Sequence, residues 1–144
     1  MRKCTFLLAI IVSILMLSSC NAKLSTIRPT LITRIEMEDL RSGEKAELNR
    51  DEEDEIDWLM DDLVIQMEQF YKKTGACTVE DQHVYRVEYN RGDEVEMYVI
   101  VNADGSICKQ DNHYVLADKD EDEIASYLED WEEAFSLGKT SEED

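Results

Sequence analysis

Between Lys73 and Tyr85 the spacing of apolar residues changes from 3.6 to 2. Before the change, Ile56, Leu59, Leu63, Met67 and Phe70 recur at helical spacing. After it, Tyr85, Val87 and Tyr89 alternate with Arg86 and Glu88, and Val95, Met97, Val99 and Val101 alternate with acids and Tyr98. A helix with one apolar stripe and strands with one apolar face bury both by packing as layers. The first constraint is therefore an α+β domain.

The flanking signals extend this reading. Leu31, Thr33, Ile35 and Met37 alternate with Ile32, Arg34, Glu36 and Glu38 as a half-buried strand, with a short return strand at Lys45 to Leu48. Asn49 and Glu52 form a capping-box-like start for a helix over about 50–73, with Lys72 and Lys73 in its last turn and Gly75 as its stop. Asp104-Gly105 reads as a two-residue hairpin turn, which would set Cys108 opposite Val101, on the Val95 side of the sheet. Ile107 to Lys109 and Tyr114 to Leu116 are short strands. Asp118 and Glu121 read as a second capping box, ahead of a stripe of Ile124, Tyr127, Leu128, Trp131 and Phe135. The expectation is an antiparallel sheet of about four to five strands with two helices on one face. It occupies 30–136, with a disordered tail at 137–144.

Arg2 and Lys3 precede an apolar run from Phe6 to Leu17, twelve residues with Ser13 as the only polar one. A spanning helix needs roughly 20, so the run reads as a secretory signal peptide. It closes on Leu17-Ser18-Ser19-Cys20. This resembles the lipobox of bacterial lipoproteins: a branched apolar residue, two small ones, then cysteine. The resemblance implies that 1–19 are removed and that Cys20 carries a diacylglyceryl group, which anchors the chain to the extracytoplasmic face of the cell membrane. Segment 20–29 would then be a lipidated tether. The stretches "YVIVNADGSI" and "HYVLADKDEDEIASYLEDW" also resemble small uncharacterised lipoprotein domains of Gram-positive bacteria. That likeness implies the same fold and address.

Charge narrows the partners. Of 144 residues, 34 are acidic and 15 basic; without Arg2 and Lys3 the basic count is 13 and the formal charge −21. Nucleic acid is disfavoured as a partner class and none is expected, since phosphate binding needs clustered Lys and Arg. The acidic excess reads first as solubility and second as attraction of a basic protein partner. No acid precedes Glu36, so the tether, with Lys23 and Arg28, should be drawn to anionic headgroups while the acidic body stands off on a short leash.

Cys77 and Cys108 remain after lipidation, and an even pair in an exported chain fits one disulfide; two buried thiols are the alternative. Asp118 to Glu123 imitates a calcium loop, but Glu123 stands where the loop needs glycine, and a capped helix explains the segment better. His83 and His113 have no zinc spacing, so neither a metal nor another cofactor is expected. No nucleophile elbow or phosphate loop occurs. Paired carboxylates are too common to single out, which leaves a small carboxylate-based hydrolase as the alternative to a non-enzymatic binding protein. One surface looks wrong for an isolated domain. At 100° per residue, Trp58 and Ile65 fall opposite the apolar face of the first helix, among Asp54, Asp61, Asp62, Glu68 and Lys72. They form a candidate partner site, unless the tether folds over them.

Overall fold

The computed structural model describes residues 21–50, 54–78 and 82–142. Its strands are β1 (Asn21–Lys23), β2 (Arg34–Asp39), β3 (Lys45–Asn49), β4 (Phe70–Ala76), β5 (His83–Arg91), β6 (Glu94–Asn102), β7 (Ile107–Lys109) and β8 (Asn112–Leu116). Its helices are α1 (Asp54–Met67) and α2 (Glu121–Glu142), and a 3-10 turn spans Pro29–Leu31. The strands form one antiparallel sheet in the order β1-β4-β8-β7-β6-β5-β2-β3.

The core lies between one sheet face and the two helices. Tyr85, Val87 and Tyr89 of β5 sit opposite Val101, Val99 and Met97 of β6, and all six are buried. Trp131 and Phe135 of α2 close over them, with Tyr89 edge-on to Trp131 at 6.5 Å and Tyr85 against Phe135 at 5.4 Å between centroids. The Tyr89 hydroxyl donates to the Leu63 carbonyl of α1 at 3.0 Å, so one buried phenol joins the sheet and both helices. Because side chains alternate, Glu36, Glu88, Arg86, Tyr98, Ile100 and Cys108 lie on the other face, which neither α1 nor α2 covers among the described residues.

Eight strands replace the expected four or five. The additions arise where period two gives no signal. "FYKKTGA" was expected as the end of a helix, but α1 stops at Met67 and the segment becomes β4, pairing with β1 and β8. Lys72 and Lys73 are therefore strand residues, and Gly75, at φ 146°, follows a bulge rather than a helix end. Asn21–Lys23, placed in the tether, pairs with β4, and Leu24 and Ser25 are buried behind it. At the other end α2 continues over the expected tail to Glu142. A Cβ on Gly138 would stand 3.0 Å from the Ala46 side chain of β3, so the smallest residue sits where helix and strand come closest.

The reciprocal cap of α2 falls two residues later than expected. The Glu123 amide donates to Asp120 Oδ1 at 2.9 Å, and the Asp120 amide to Glu123 Oε2 at 3.2 Å. The box expected at Asn49 and Glu52 reaches outside the described residues.

Charge is segregated across the sheet. β1, β4, β8 and β7 contain Lys23, Lys72, Lys73 and Lys109 and no acid, whereas β2, β3, β5 and β6 contain every acid of the sheet strands.

Candidate functional site

Trp58 and Ile65 stand on the outer side of α1, whose inner side buries Ile56, Leu59, Met60, Leu63, Val64 and Met67. Trp58 is 72% exposed and Ile65 41%. Seven residues at 1.5 Å separate them by roughly 10.5 Å along the axis. Of the tether that could have covered them, Asn21–Lys23 pairs with β4 instead. Their surroundings differ from the expected rim in two places. Asp61 is ion-paired with Arg50 at 2.9 Å, and Lys72 has moved to β4.

Negative charge concentrates where α1 crosses α2. Gln66 Nε2 donates to Asp130 Oδ2 at 3.1 Å. Partial burial, followed by the charges of Asp62 and Glu133, pushes the Asp130 carboxyl above its ordinary pKa; the Gln66 hydrogen bond opposes them. The helical side of the molecule thus offers an exposed indole on a surface of net negative field.

The open sheet face holds a second feature, a concavity of about 550 Å³ whose lining includes Cys77, His83, Val95, Tyr98, Ile100 and Cys108. Cys77 and Cys108 lie at disulfide distance, Cα atoms 5.8 Å apart, joining the segment after β4 to β7. Two register details place these groups. The turn at Asp104-Gly105 has three residues rather than two, with Val101 opposite Ile107 and Gly105 at φ 83°. The extra residue shifts the pairing by one, so Cys108 faces Ile100 on the open face and not Val101 in the core. In β6, Tyr89 pairs with Met97 and Asn90 with Val95, which leaves Glu96 as a bulge. The bulge turns Val95 out of the expected row, and it is 54% exposed.

A ligand atom from each of Cys77, His83 and Cys108 falls within 4.8 Å of the others. The bridge removes both thiolates that a metal would need, so in the bridged protein this triplet is not a metal centre. Sequence reasoning weighed the cysteines and the histidines separately; the short Cys77 to His83 spacing was the one local sign of their meeting.

The two histidines also share a polar chain that no motif announced. Asp104, as carboxylate, only accepts, so the Ser106 hydroxyl donates to it at 2.5 Å. Ser106 Oγ then accepts from Asn102 Nδ2 at 3.0 Å and from His113 Nε2 at 2.9 Å. Asn102 Oδ1 is left to accept from His83 Nδ1 at 2.6 Å, and His113 Nδ1 lies 2.5 Å from Thr74 Oγ1. This order places a proton on His83 Nδ1 and on His113 Nε2. Burial pushes the Asp104 carboxyl up, but the Ser106 hydrogen bonds and the His113 charge outweigh it and hold the carboxyl below its ordinary pKa. Serine, histidine and aspartate do meet here, but the serine proton points at the aspartate and His113 acts as donor. That wiring locks a turn and does not generate a nucleophile.

No protein-family model matches this chain, and neither does any curated protein or solved structure.

Proposed function

We propose that this chain is a membrane-anchored, acidic, non-enzymatic lipoprotein that binds another envelope or extracellular macromolecule. Cys20 is its point of attachment, on the extracytoplasmic face of the membrane. The observation that carries the binding half is Trp58, 72% exposed on the outside of α1 with Ile65 beside it on the same side. Buried tryptophans are the commonest energetic anchors of interfaces, and truncating one at an interface centre costs about 2 kcal/mol or more. The acidic α1–α2 surface selects a partner with a basic rim and raises its rate of encounter. The anchoring half rests on the short apolar run and on Leu17-Ser18-Ser19-Cys20. Two acyl chains on one residue give stable attachment where a single chain gives only reversible binding.

One experiment addresses both halves. Intact cells producing the parent, Trp58→Ala or Cys20→Ala are fed a fatty-acid analogue and crosslinked, and the species joined to the protein is identified. The parent should carry label and one defined crosslinked partner. Trp58→Ala should keep the label and the parent's thermal midpoint while losing at least about tenfold in capture, the equivalent of 1.4 kcal/mol. Cys20→Ala should carry no label. Undiminished capture by Trp58→Ala removes the binding half; label retained by Cys20→Ala removes the anchor.

A further inference from the structure

We propose that the β1–β4 edge of the sheet is a membrane-contact surface, seated on anionic lipid headgroups. The inference rests on attachment at Cys20 and adds to it an orientation. Asn21, Ala22 and Lys23 pair with Lys72, Tyr71 and Phe70, so the residue after Cys20 already belongs to the sheet. One peptide unit separates Cys20 from that strand, about 3.8 Å between Cα atoms. Lipid on Cys20 therefore brings this edge to headgroup level, and no leash remains on which the body can stand off.

What the edge presents suits that position. Lys23, Lys72 and Lys73 are exposed, and Phe70 is 57% exposed with the Lys23 ammonium 5.7 Å from its ring centroid. Pairing puts Lys23, Phe70 and Lys72 on one side of the edge and Lys73 on the other, so both sides offer cations. In a chain with 34 acids, neither β1 nor β4 nor the next strand, β8, contains one. Lysines attract the phosphates of anionic lipid, and a half-exposed aromatic suits the boundary between headgroup and acyl chain. The acidic strands β2 and β3 lie at the far end of the same sheet, where repulsion by the same surface holds them away.

The test is lysine footprinting of the purified lipoprotein on vesicles, with a water-soluble acetylating reagent. Vesicles of phosphatidylglycerol with phosphatidylcholine are compared with phosphatidylcholine alone. On the anionic vesicles Lys23, Lys72 and Lys73 should react at least threefold more slowly, Lys45 and Lys139 at unchanged rates, and 0.5 M salt should abolish the difference, in line with a screening length of roughly 3–10 Å over this salt range. Replacing all three edge lysines with glutamine should remove any preference for anionic vesicles. Intact mass of the N-terminal peptide reads the anchor separately. Where Cys20 arrives without lipid, the anchoring reading fails; its thiol is then coupled to a maleimide phospholipid, and the footprint still decides the edge. Equal rates at all five lysines on both vesicles, or equal protection of Lys45 and Lys139, overturn the proposal.

Discussion

Asp130 shows at a single residue what an acidic composition costs. Its folded pKa lies above the unfolded value, chiefly through burial and then through Asp62 and Glu133. The penalty is fully present above the folded pKa and disappears as pH falls towards the unfolded one. Asp130→Asn keeps an oxygen for Gln66 and removes the charge. It should stabilise the protein at pH 7 by about 0.5 kcal/mol, a value held low by solvent screening. Denaturation midpoints should converge with the parent's as pH is lowered through the carboxylate range. Asp104 has the opposite sign: its lowered pKa supports the fold above the unfolded value, and that support is lost as pH falls through the folded one. At this scale the sequence was informative about Trp58, because the helical repeat alone put it opposite Ile56, Leu59 and Leu63. It was silent about Asp104 and His113, whose meeting depends on strand register.

Among the elements, the β6–β7 hairpin fixes the most. Gly105 lies at φ 83°, and a methyl group there would run into the Ile124 side chain of α2. Gly105→Ala should destabilise by about 1–3 kcal/mol, from left-handed backbone strain and the clash together. Combining it with Ile124→Ala should recover the clash part, so that urea unfolding of the double variant shows a smaller loss than the two single losses added. A double variant that is merely additive would place the whole cost in the backbone. The Asp-Gly pair announced this turn correctly, but a two-residue and a three-residue loop both want glycine at positive φ, so the dipeptide could not give the length. That one-residue difference decided the face of Cys108. β4 was illegible for a different reason. Two lysines after an apolar stripe have the form of a helix end, and only pairing with Tyr114 and Val115 makes them a strand.

For the molecule as a whole, the helices-over-sheet layering followed from the change of period near residue 75, while the extent of the sheet did not. Strands such as Asn21–Lys23 exist because a neighbour offers an edge, and their own residues carry no pattern. The Cys77–Cys108 link spans 31 residues and ties the segment after β4 to β7, two strands away in the sheet. Loop-closure entropy assigns such a link about 3–4 kcal/mol. Cys77→Ser with Cys108→Ser should lower the unfolding free energy by that order. A reductant with chelator should lower the parent's by the same amount and leave the double variant unmoved. A loss below about 1 kcal/mol would mean that the open loop is already ordered before the link forms.

The order of the elements sets how this protein would answer to force. Were the body held at residue 20 and gripped at Trp58, it would be stretched whenever the two were drawn apart. The three-pair β1 ribbon sits at the loaded end and would be the first to peel. Covalent tension would run only through residues 21–58, roughly 130 Å of contour length when drawn out. β4 to β8 and the Cys77–Cys108 link lie beyond the grip, so β5 and β6 would stay slack whether the link is open or closed.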